Sequence, residues 1–87
     1  MLSRHVTITA HNGVHARPVA ELVRVVQAYG DAVTLRTADG VVVDLSSVLA
    51  VMDLALAPGD AVTLETRESA DAAAMLDTLS EVLAPRG

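Results

Sequence analysis

Along this chain the spacing of apolar residues alternates between a period of two and a period of three to four. That succession limits it to layered packing of strands and helices. Leu2, Arg4, Val6 and Ile8 alternate with Ser3, His5, Thr7 and Thr9, so residues 2–9 read as a half-buried strand. Over 16–29 the apolar stripe Val19, Leu22, Val23 and Val26 predicts a helix. Pro18 falls in its first turn, and Gly30 follows its end. Strands at 32–37 and 41–45 come next, joined by Ala38-Asp39-Gly40, with Val33, Leu35, Val41, Val43 and Leu45 facing inward. Ser46-Ser47 offers an N-cap to a short helix around 48–54, which must pack through Val48, Leu49, Val51 or Met52. Pro58-Gly59 is a turn, and Val62, Leu64 and Thr66 mark a fourth strand. Ser69 is placed to cap a last helix, 70–84, striped by Ala72, Leu76, Leu79 and Leu83. Asp71 falls in the first turn of that helix and Pro85 ends it.

The order is β-α-β-β-α-β-α. Four strands, each apolar on one side, call for an α+β fold: one four-stranded antiparallel sheet with helices on its apolar face and water on the other. With 87 residues the expectation is a single domain spanning 1–87. Its core must be aliphatic, because Tyr29 is the only aromatic residue, with Met52 and Met75 as fillers. No cysteine is present, so disulfides and thiolate metal sites are excluded.

Charge narrows the function. Six basic residues face eleven acidic ones, a formal charge of −5. Such a chain repels nucleic-acid backbones and anionic lipid, and it lacks aromatic platforms for bases. No apolar run reaches the roughly 18 residues of a membrane span, and the first residues show no signal-peptide core, so a cytoplasmic protein is expected. The three histidines share no metal-ligand spacing, and no metal or cofactor is expected. His5 reads as a surface residue of the first strand and His11 as a turn residue.

The informative segment is Asn12-Gly13-Val14-His15-Ala16-Arg17-Pro18. An Asn-Gly turn delivers His15 to the position just before a helix starts, where free N–H groups and the positive dipole end favour an anion. Neutral imidazole is a nucleophile near pH 7. A phosphoryl group on it would meet the backbone N–H groups near Ala16 and Arg17 and the Arg17 guanidinium. No carboxylate, second histidine or serine in the segment completes a hydrolytic triad, so the site can hold a group without an evident route to water. The alternative from position alone is a surface histidine or a modest cap.

The stretch from Val6 to Pro18 resembles the active-site segment of HPr, the phosphocarrier family of the bacterial phosphoenolpyruvate-dependent sugar phosphotransferase system. Ser46 to Leu54 resembles the family's regulatory-serine helix, and Pro58 to Leu64 its last strand. The resemblance implies an open-faced β-sandwich, with three helices covering one face of the sheet, and a carrier that is not an enzyme. It implies phosphorylation of His15 on Nδ1 assisted by Arg17, with enzyme I as donor and the IIA components of sugar transporters as acceptors. It implies a monomer. Ser47 corresponds by position to the serine modified by HPr kinase/phosphorylase. Val14, Arg24, Val48, Leu49 and Val51 correspond to partner contacts. Two departures stand out: Ser46 occupies a place where the family commonly carries lysine, and Asp53 adds acid nearby. Family partners present acidic surfaces, so weaker electrostatic steering toward them is expected. The alternative function is a regulatory or paralogous HPr-like module whose main role is partner docking through Val14, Val48, Leu49 and Val51.

Overall fold

The computed structural model describes residues 1–9 and 16–85, with side chains for 1–9 and 19–85. Its elements are β1 (Leu2–Thr7), α1 (Ala16–Tyr29), β2 (Val33–Thr37), β3 (Val42–Asp44), α2 (Val48–Asp53), β4 (Ala61–Thr66) and α3 (Ala72–Leu83). The strands form one antiparallel sheet in the order β1-β4-β2-β3. Three helices pack on one face of this open sheet.

Register explains which face is covered. Val6 lies opposite Val62, Leu64 lies opposite Leu35, and Thr66 lies opposite Val33. All six are buried, whereas Ser3, His5 and Thr7 on the alternate positions are exposed. A slip of one residue would turn this whole apolar set to water, so the alternation itself selects the pairing. Onto the apolar face α1 presses Val19, Leu22, Val23 and Val26, and α3 presses Ala72, Met75, Leu76, Leu79 and Leu83, every one of them buried. Thr66 is the one buried polar side chain among the described residues, and its hydroxyl donates to the carbonyl of Ala32 at 2.8 Å. That bond removes the cost of an unpaired buried hydroxyl. The core is aliphatic, as expected. Tyr29 packs at its margin with its hydroxyl 2.7 Å from Ser69 Oγ.

Four expectations are corrected. Ser69 does not cap the last helix: α3 starts at Ala72 with Asp71 at the N-cap, and the Ser69 hydroxyl is engaged by Tyr29. Asp71 therefore precedes the first turn, and its αR backbone leaves its side chain without a capping bond. Val41 is 48% exposed, because the helix layer does not extend over the start of the edge strand. Met52 is 43% exposed, because it follows Val51, the residue through which α2 enters the core.

Helix ends show how the backbone turns are made. Gly30, at φ 83°, donates its N–H to Val26 at the end of α1, a conformation open to a residue without Cβ. After α2 the same left-handed task falls to Ala55, at φ 50°. Its Cβ crowds the neighbouring backbone, which costs an L-residue about 1–2 kcal/mol. Ala55→Gly should therefore raise stability by about 0.5–1 kcal/mol after the extra unfolded-state entropy of glycine is counted. Urea unfolding would show this as a higher midpoint at unchanged slope.

Candidate functional site

Helix α1 begins at Ala16, the residue after His15 in sequence, as the turn-then-helix pattern predicts. Ala16, Arg17 and Pro18 form its first backbone turn. Val14, His15 and the Arg17 side chain lie outside the described residues. What the structure does place is the frame around them. Strand β1 is held past its end by the N–H of Ile8 on Asp60 O at 2.8 Å and by that of Thr9 on Leu83 O at 3.1 Å. Val19, fully buried, anchors α1 one turn from its start. The chain is thus tied down on both sides of residues 10–15.

The second predicted region separates into distinct roles. Ser47 is the N-cap of α2, with extended backbone (φ −105°, ψ 109°), and its hydroxyl accepts from the N–H of Ala50 at 3.2 Å. Ser46 does something else. Its N–H and its hydroxyl both donate to Asp44 Oδ1, each at 2.8 Å. These bonds hold the Asp44 carboxyl below its ordinary pKa. Sequence reasoning missed Asp44, although an aspartate two residues before a serine is the pattern of an Asx turn.

The predicted contact residues divide as well. Leu49 is 76% exposed and Val48 is 40% exposed, so both are free to meet a partner. Val51 is 1% exposed and belongs to the core; as the one buried residue of α2 it is not available for docking. Arg24 is exposed on α1 and donates to Glu21 at 2.7 Å, so part of its charge is already matched. His5 stands on the open face of the sheet with Nδ1 2.9 Å from Thr63 Oγ1. Among the described residues, no group of His, Cys, Asp or Glu is arranged to hold a metal, and no helix is long and apolar enough to cross a membrane.

A family model described as the PTS HPr component phosphorylation site matches residues 2–84. The chain belongs to the HPr family. Its members are phosphocarriers rather than catalysts. The phosphocarrier protein HPr of Streptomyces coelicolor is 36% identical over 84 residues, 97% of this chain and 89% of that one. The HPr crystal structure from Bacillus anthracis superposes with a TM-score of 0.83 at 28% identity, covering 94% of this chain and 95% of the other. The HPr-C-His structure from Thermoanaerobacter tengcongensis gives the same TM-score at 23% identity, covering 95% and 91%, a likeness of fold. The open-faced HPr sandwich is therefore the architecture of this chain.

Two outcomes follow from the polar contacts. Ser47→Ala should cost about 1 kcal/mol, seen as a Tm lower by roughly 4–8 °C, while Ser47→Asp, which also caps well, should lose less. Acid should destabilise the fold. Asp44 is lowered first by the Ser46 N–H and then by its hydroxyl, and Asp31 is lowered chiefly by its bond from Arg67. Depressed carboxylates add stability above their unfolded pKa of about 3.9 and lose it as pH falls through the lower folded value. Tm should decline below about pH 4, and Asp31→Asn combined with Asp44→Asn should flatten that decline.

Proposed function

We propose that this chain carries phosphoryl groups on His15, receiving them from phosphorylated enzyme I and delivering them to IIA components of sugar transporters in the cytoplasm. The observation that carries the proposal is the His15-Ala16-Arg17-Pro18 sequence, whose Ala16 is the first residue of α1, within a chain matched to the HPr family along residues 2–84.

In the proposed step, Nδ1 of neutral His15 attacks phosphorus as the donor's bond to it breaks. The imidazole carries the group with its positive charge balanced by the phosphoryl oxygens. Those oxygens take hydrogen bonds from the backbone N–H groups of Ala16 and Arg17 and from the Arg17 guanidinium. Delivery is the reverse attack by the acceptor. A carrier must hold the group without committing it, and no hydrolytic base stands in the segment. Val14, Arg24, Val48 and Leu49 provide the contact surface. Ser47 is the proposed target of HPr kinase/phosphorylase. Its place at the start of α2 suits an added phosphate, which the helix N-terminus accepts.

Incubation with phosphoenolpyruvate and enzyme I should add one acid-labile phosphate, read by intact mass at neutral and acid pH. His15→Ala should abolish it, and Arg17→Ala should slow transfer by about 10²-fold, the usual cost of removing one preorganised anion donor. Undiminished labelling of His15→Ala would refute the assignment. A partner that binds equally well without His15, in a chain that never labels, would favour the docking-module alternative.

A further inference from the structure

From Thr37 to Thr66 the chain contains no lysine, arginine or histidine, and it contains Asp39, Asp44, Asp53, Asp60 and Glu65. This stretch carries the whole formal charge of −5, since the remaining residues hold six acids and six cations. The same stretch also holds most of the exposed large apolar side chains among the described residues. Among the described residues the exposed large apolar side chains are Met1 and, all within 41–52, Val41, Val42, Val48, Leu49 and Met52. Exposed hydrophobicity is thus concentrated around the edge strand β3 and the short helix α2, with Asp39, Asp44 and Asp53 set among it.

Between those two elements runs an open groove of about 530 Å³. Val41, Val43, Ala50 and Leu54 line it together with Thr37, and two acids join them, Asp39 of the hairpin and Asp53 of α2. Among the described lining residues none is a cation. Leu49 precedes Asp53 by one helical turn, so the α2 side of the groove continues into the most exposed apolar residue of that helix.

We infer that this groove binds a basic amphipathic segment of a partner protein, seating an apolar side chain on Val41, Val43 and Leu54 while lysine or arginine on either side meets Asp39 and Asp53. A groove lined by apolar side chains and by charges of one sign selects by complementarity: it attracts the opposite charge and repels like charge. A second copy of this chain is the poorer occupant, because it would bring the same uncompensated acids against these. The inference does not rest on phosphoryl transfer, and the groove lies on the β3 side of α2, away from Val48.

The test uses the intact protein and three synthetic helices: one of leucine and lysine, one of leucine and glutamate, and one of serine and lysine. The leucine-lysine helix should bind saturably, with amide shifts gathered on Val41, Val43, Ala50 and Asp53. The other two should not bind. Asp39→Asn with Asp53→Asn should weaken binding about tenfold, as two exposed charge pairs predict, and added salt should weaken it further. Val41→Ser, at an exposed position that leaves the core intact, should weaken it as well. Equal binding of the serine-lysine or leucine-glutamate helix, shifts centred elsewhere, an unaffected Asp39/Asp53 variant, or self-association in place of peptide binding would each overturn the inference. Phosphorylation of His15 is read separately, so either result can fail without the other.

Discussion

Strand β4 enters the sheet last and occupies its interior, and the rest of the structure depends on that insertion. β1 and β2 do not touch as neighbours; each is bonded to β4, which makes antiparallel ladders on both edges. Leu64 sits at the crossing of the two ladders, opposite Arg4 on one side and Leu35 on the other, and is fully buried. Because β1 is separated from β4 by more than fifty residues, the sheet closes only when the first strand meets the last across most of the chain. That closure costs chain entropy, and the helices offset it: α1 and α3 cover the same apolar face with aliphatic side chains that have few rotamers to lose. It also places the start of α1 where the end of β1 is pinned to Asp60 and Leu83.

The parts of this fold that sequence reveals are those where periodicity and burial coincide. The α1 stripe from Val19 to Val26 and the Val62-Leu64-Thr66 alternation are each read directly, because a residue's neighbours in sequence decide its face. Errors come where a tertiary partner competes for a group. Ser69 has the chemistry of an N-cap, but a tyrosine forty residues away takes its hydroxyl. Val41 keeps the inward parity of its strand yet stays exposed, because parity says which way a side chain points and nothing about whether a helix reaches over it. Met52 and Val51 differ by one position in a short helix, and no local rule distinguishes the one that enters the core.

The candidate site was legible to a different degree. The onset of α1 at Ala16 follows from the Asn-Gly turn and Pro18, and Ser47 as the cap of α2 follows from its place before an apolar run. The division of labour between Ser46 and Ser47 does not follow from composition. It requires Asp44, whose carboxylate takes both donors of Ser46 and leaves Ser47 alone to cap the helix. A phosphate on Ser46 would displace that hydroxyl from Asp44 and face a carboxylate held in its ionised form, whereas one on Ser47 would meet helix N–H groups. Local electrostatics therefore favours modification at Ser47.

Charge distribution also sets how such a protein could choose among partners. Arg4, Arg24, Arg36 and Arg67, the four arginines whose side chains are described, are all engaged by acids of the same chain. Each of these pairs is solvent-exposed and contributes little to stability, but each cancels part of the field that would steer an acidic partner. The acids from Asp39 to Asp60 are not matched by any cation of their own stretch. A field of one sign therefore surrounds β3 and α2, while Arg24 on α1 is paired with Glu21. For a basic partner that field and the exposed Leu49 act together, because the acid and the apolar side chain lie one turn apart on the same helix.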